Sequence, residues 1–153
     1  MIYLCIQTIK GMRHMIFSKI HSAYFADQDH LDFYSRQMAK LPNDSQHNAL
    51  AYTLGICKNT RKHFDSIFSV NDFSINPAAI DEGWQTGSSR KVTRLAFQLF
   101  TDKIPTATSG DEEMDINELS KYSVSDIFCC HYAPYFFEAV KIRYPEYTKG
   151  GAK

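Results

Sequence analysis

Asp44-Ser45-Gln46-His47-Asn48-Ala49-Leu50-Ala51-Tyr52-Thr53-Leu54-Gly55-Ile56-Cys57 is the stretch on which the fold turns. Asp44 or Ser45 can cap a helix that runs to about Cys57. At helical pitch Leu50, Leu54 and Cys57 face one way, while Tyr52 and Ile56 face another. Apolar side chains spread over so much of the circumference need neighbours on more than one side. This helix is therefore expected at the centre of the molecule.

Working outward, Asp27 is a cap for a preceding helix that reaches about Leu41 and stops at Pro42-Asn43. Leu31, Tyr34, Met38 and Leu41 form its apolar stripe, and Asp32, Arg36 and Lys40 its polar side. Phe33 falls among the polar positions, so it either meets a second neighbour or lies exposed. Downstream, Asn59-Thr60 marks a turn and a cap for a third helix. That helix carries Phe64, Ile67 and Phe68 inward and is broken at Asn71-Asp72. Asn76-Pro77 opens a short helical turn that Gly83 stops, because proline suits the first helical position. A helix over about 89–101 has the stripe Val92, Leu95, Ala96 and Leu99, with Arg90, Arg94 and Gln98 on the other face. Residues 104–111 read as a loop, and residues 111–118 as an acidic, solvated turn or helix edge. Ser123-Val124-Ser125-Asp126 has capping-box spacing ahead of a short helix through Cys130. A last helix from Ala133 to Tyr144 is apolar nearly all round, so it too is expected to be central, and Pro145 ends it. No alternating strand pattern extends beyond residues 2–6. The fold class is thus all-α: a single compact domain of five to seven helices, packed as a non-parallel, orthogonal bundle.

The 153 residues fit one domain, a size that buries roughly 68–70% of its unfolded surface without metal or disulfide. Residues 1–14 are set apart as an extension or a mis-started segment, with Met15 as the alternative start. Residues 15–147 are the domain, and residues 148–153 a fraying tail. Seventeen basic and seventeen acidic residues balance to zero, which disfavours both a basic nucleic-acid platform and an acidic nucleic-acid mimic. Eleven Phe, nine Tyr and one Trp exclude intrinsic disorder. The aromatic excess suits a homodimer as well as a well-filled monomer. No stretch approaches the ~20 apolar residues of a membrane span, and the N-terminus runs apolar-then-basic, opposite to a signal peptide. The expectation is a cytoplasmic protein whose four cysteines, Cys5, Cys57, Cys129 and Cys130, are buried thiols.

Chemistry has one candidate segment, Gly83-Trp84-Gln85-Thr86-Gly87-Ser88-Ser89-Arg90. It places the only tryptophan, small residues and hydroxyls at a helix N-terminus, where free N–H groups and the helix dipole favour an anion. Trp84, Gln85, Thr86, Ser88, Arg90 and Arg94 are the candidate ligand-binding residues. The plainer reading is that Ser88 caps the helix and Trp84 plugs the core, since the glycine spacing and lysine of a phosphate loop are missing. Six histidines show no HxxxH, HExxH or CxxC spacing, so neither metal ligands nor a cofactor are assigned. No GxSxG motif or paired Cys–His sequence signature names a catalytic residue. Basic residues gather at Lys58/Arg61/Lys62, Arg90/Lys91/Arg94 and Lys141/Arg143/Lys149, where ordinary solvated helix faces are favoured over a nucleic-acid surface.

The segments Gly83-Trp84-Gln85-Thr86, Arg94-Leu95-Ala96-Phe97, Tyr122-Ser123-Val124-Ser125-Asp126-Ile127-Phe128, Tyr132-Ala133-Pro134-Tyr135-Phe136 and Arg143-Tyr144-Pro145-Glu146-Tyr147 together resemble a family of short clostridial proteins known as a domain of unknown function. The resemblance spans about Phe17 to Tyr147, leaving residues 1–14 outside it. It implies a shared fold, no catalytic residue, and a setting among phage and integrative elements of gut Firmicutes. The expectation is a non-catalytic interaction or regulatory protein with a protein partner and no membrane. It would serve as an accessory or anti-defence factor of a mobile element, with Phe33, Trp84 and Tyr147 as exposed contacts. The alternatives are a small anionic-ligand binder or enzyme using Trp84–Arg94, and a weak nucleic-acid binder.

Overall fold

Short polar side chains set where the helices start. In the computed structural model, which describes residues 23–105 and 115–148, the Asp27 carboxylate accepts the His30 N–H at 2.7 Å and the Asp44 carboxylate accepts the His47 N–H at 2.8 Å. Asn76, Thr86, Asp115 and Ser123 cap in the same way. The resulting helices are α1 (Gln28–Met38), α2 (Ser45–Gly55), α3 (Lys58–Lys62), α4 (Phe64–Ile67), α5 (Gly87–Thr101), α6 (Ile116–Ser120), α7 (Val124–Phe128), α8 (Ala133–Arg143) and α9 (Pro145–Thr148). A 3-10 turn, Pro77–Asp81, follows a minimal hairpin of β1 (Phe68–Ser69) and β2 (Ser74–Ile75). The hairpin is antiparallel, with Phe68 opposite Ile75 and Ser69 opposite Ser74. The all-α class holds. More than seven helices are present among the described residues because several are single turns that a periodicity window merges or misses. None of these helices is long and apolar enough to cross a membrane.

α2 is the axis of the molecule. Every residue from Ala49 to Cys57 is buried, and α1, α5 and α8 pack around it. Its two sides serve two clusters. Leu50, Ala51 and Leu54 join Phe33, Phe64, Ile67, Phe68, Ala96 and Phe97. Ala49, Tyr52 and Ile56 join Val92, Leu95, Leu99, Ile127, Phe136 and Ala139. Cys57 belongs to this second group rather than with Leu50 and Leu54, because the helix ends at Gly55 and the chain turns before reaching it. The open carbonyls at that end are taken by Thr60, whose hydroxyl donates to Leu54 O at 2.6 Å, and by Arg61, which donates to Gly55 O at 2.6 Å. Thr60 therefore sits inside α3 rather than at its start.

Other expectations are revised in detail. α1 buries His30 and Phe33, while Leu31, Tyr34 and Met38 are only half-buried. Phe33 is not exposed: it is 2% accessible and its ring meets Phe64 edge-on. The third helix is not continuous, since it breaks at His63. α8 is not central. It lies along one side of α2 with only Phe136 and Ala139 fully buried, so a helix apolar all round still presents an outer face. Of the cysteines, Cys57 is buried, but Cys129 is exposed and Cys130 half-buried. Residues 1–14 and 149–153 lie outside the described residues, and Thr148 closes the last helical turn.

Candidate functional site

The segment from Trp84 to Arg94 resolves into two surroundings. At its start the Thr86 and Ser89 N–H groups find their acceptors within the segment. The Thr86 hydroxyl accepts the Ser89 N–H at 3.1 Å, and the Thr86 N–H donates to the Ser89 hydroxyl at 2.7 Å, which closes a capping box. The cap is therefore Thr86 with Ser89, not Ser88, which is half-buried beside it. Gln85 is buried and locked: its amide donates to Ala79 O and the Thr93 hydroxyl, and its carbonyl accepts from Ser89. Trp84 is half-buried, stacked flat on His63 with ring centroids 4.3 Å apart, and its indole N–H donates to Glu82. These residues build the junction between the 3-10 turn and α5.

The arginines face elsewhere. Arg90 Nε donates to Ile80 O at 3.1 Å. Arg94 does not sit on an outer face. It is 7% accessible, with its guanidinium 5.6 Å from the centroid of the buried Tyr122 ring. The Tyr122 hydroxyl is pushed up by burial and held back in part by the Arg94 charge.

Each of the three basic groups has at least one member held in an ion pair. Arg61 pairs with Asp27 and Asp29, Lys91 with Asp126, Lys141 with Glu138, and Arg143 with Asp102. Lys91 also donates to the carbonyls of Asp126 and Cys129. Among the described residues no three His, Cys, Asp or Glu side chains are grouped to hold a metal ion. His30 is buried and neutral. Its Nδ1 accepts the Ala26 N–H at 3.2 Å, its Nε2–H donates to Tyr52 O at 2.7 Å, and burial drives its pKa from 6.5 down to about 4. His47 is held by Asp44 at 2.8 Å and enclosed by the rings of Phe68, Phe73 and Phe100.

A family model describes residues 20–153 as DUF6075, a family of unknown function. The chain belongs to that family. Curated proteins and solved structures give no match. The match to this DUF6075 domain begins at residue 20 and runs to residue 153.

The sequence reading missed several of the exposed apolar side chains of the DUF6075 fold. Val124 is 74% and Phe137 59% exposed, and the half-buried Phe128 ring lies 4.9 Å from that of Phe137. Val124 and Phe128 are one helical turn apart, so they share a face of α7 and continue the strip onto α8. Ile116, on the short helix before α7, is 77% exposed. The available signal was the apolar circumference of α8: once Phe136 turns inward, its neighbour Phe137 must turn away. Of the three contacts expected at the surface, Tyr147 is exposed, Trp84 is half-buried and Phe33 is inside.

Proposed function

We propose that this domain is a non-catalytic interaction module that docks a protein partner on the strip of Val124, Phe128 and Phe137. The exposure of Val124 and Phe137 around the Phe128 ring carries the reading. Apolar area left in water is unfavourable by about 25 cal/mol per Å2, and a partner recovers it. Recognition through apolar contact also suits a chain of zero net charge, which has no overall field to steer a charged ligand. The free thiols of Cys57, Cys129 and Cys130 support a cytoplasmic setting. The resemblance to clostridial proteins supports the finer proposal of an accessory or anti-defence factor of a mobile element, with a host or element-encoded protein as its target.

The test is capture from host lysate by the wild-type chain and by Phe137→Asp. Phe137 is largely solvated, so the variant should melt within about 2 °C of wild type. A partner retained in stoichiometric yield by wild type and lost by the variant supports the module. No such partner, or one that the variant keeps, removes it. Sedimentation of the purified chain identifies the case in which the partner is a second copy.

A further inference from the structure

Two of the enclosed arginines reach both backbone carbonyls and carboxylates. Arg61, with 13% of its side chain accessible, meets Gly55 O, Asp27 and Asp29. Arg143, with 11% accessible, meets Leu99 O, the Ser45 hydroxyl and Asp102. Arg94 differs. It is the most buried of the Arg90, Arg94 and Gln98 face, and among the described residues its Nε–H has no acceptor and it takes part in no ion pair.

A guanidinium does not lose its proton inside a protein, so it cannot escape desolvation by becoming neutral. Stripping it of water without an anion is strongly unfavourable. Tyr122 offsets part of this through its ring face and through its hydroxyl, which accepts from the guanidinium, but it supplies no negative charge and leaves Nε–H unmet. Asp81 and Glu118 act on Tyr122 from a distance, and Glu118 is itself paired with Lys121. Arg90 adds a second cation one turn earlier on the same face of α5, which deepens the positive potential. The cover over this spot is thin. Tyr122 follows α6, whose five residues are all exposed, and its carbonyl is held by Gln98 at 3.5 Å.

We propose that Arg94, with Arg90 beside it, binds a small oxyanion, the phosphate or carboxylate group of a small molecule, which seats against the unpartnered Nε–H beneath Tyr122. This site is separate from the apolar strip and stands without it. The fork geometry of guanidinium matches both anions, and a lysine would not reproduce it.

The experiment is thermal unfolding of the full chain with orthophosphate, malonate or chloride at equal ionic strength. At tenfold excess over its dissociation constant a specific anion should raise the melting temperature by roughly 3–6 °C and then saturate. General salting effects instead grow steadily with concentration. Saturation with phosphate alone, malonate alone or both assigns the anion class. Arg94→Met should erase the saturating part, and Arg94→Lys should keep only a fraction of it. Should Arg94→Met not fold, Arg90→Gln is expected to weaken the midpoint concentration several-fold, and phosphorus NMR of the wild-type mixture should show exchange broadening. An equal response in wild type and Arg94→Met, or no saturating response to either anion, would mean that the charge is balanced within the chain, and the proposal falls.

Discussion

Gly55 shows how one missing methyl group positions two helices. A Cβ at this position would lie 2.6 Å from His30 Cδ2 and 3.0 Å from Phe33 Cδ1. The imidazole cannot step aside, because it is bonded on one side to Ala26 and on the other to Tyr52. Gly55→Ala is therefore expected to destabilise by about 1–3 kcal/mol despite the better helix propensity of alanine, read as a lower urea midpoint. The same imidazole makes stability depend on pH. Its pKa is about 4 in the fold against 6.5 in the unfolded chain. Above pH 6.5 neither state holds the proton, and the contribution of His30 is intact. As pH falls from 6.5 toward 4, the unfolded chain takes up a proton that the folded one refuses, so stability declines. Below about 4 both states are protonated and this loss stops growing. The total over that window is about 3 kcal/mol. Urea midpoints at about pH 7 and about pH 5 should differ more for wild type than for His30→Gln; equal differences would show that His30 does not govern the slope.

Among the elements, the end of α5 is tied to both α2 and α8 by one side chain. Asp102 adopts a left-handed backbone at φ 55° and ends α5. Its carboxylate receives Arg143 and the Tyr144 hydroxyl, each at 2.6 Å, while Arg143 also donates to Leu99 O and Ser45. Arg143→Ala should cost about 2–3 kcal/mol, toward the lower end for a buried ion pair because Asp102 is half solvated; Arg143→Lys should recover only part. A loss below 0.5 kcal/mol in chemical denaturation would show that the staple carries no stability. This junction also explains what was legible and what was not. Caps are local, so Asp27, Asp44, Asn76 and Ser123 mark helix starts in the sequence itself. The stripe Val92, Leu95, Ala96 and Leu99 likewise reads directly as a buried face. Which side of an apolar helix finds a neighbour is decided by the other helices. Hence α2 and α8 looked alike, yet only α2 is enclosed. The candidate site was legible as a set of residues and not as an arrangement: Thr86, Gln85 and Trp84 close on themselves, while Arg94 is carried under Tyr122 by a long-range contact that no spacing announces.

At the scale of the molecule, α2 is shared by two apolar clusters that otherwise draw on different helices. Phe97 is fully buried in one and Phe136 in the other. α5 also divides its residues between them, with Ala96 on one side and Val92, Leu95 and Leu99 on the other. Losing either cluster strips one side of α2 and α5 together, so neither half has a complete core of its own. The expectation is a single cooperative transition. Phe97→Ala and Phe136→Ala should each cost about 3–5 kcal/mol, since each leaves a large cavity in a close-packed interior. Trp84 packs against the Phe97 cluster and is the only tryptophan, so its fluorescence reports on that side, while far-UV circular dichroism reports on all helices. In Phe136→Ala the fluorescence and dichroism midpoints should fall together, although the mutated ring belongs to the other cluster. If dichroism shifted while Trp84 fluorescence kept its wild-type midpoint, the two clusters would be separate folding units and α2 would not couple them.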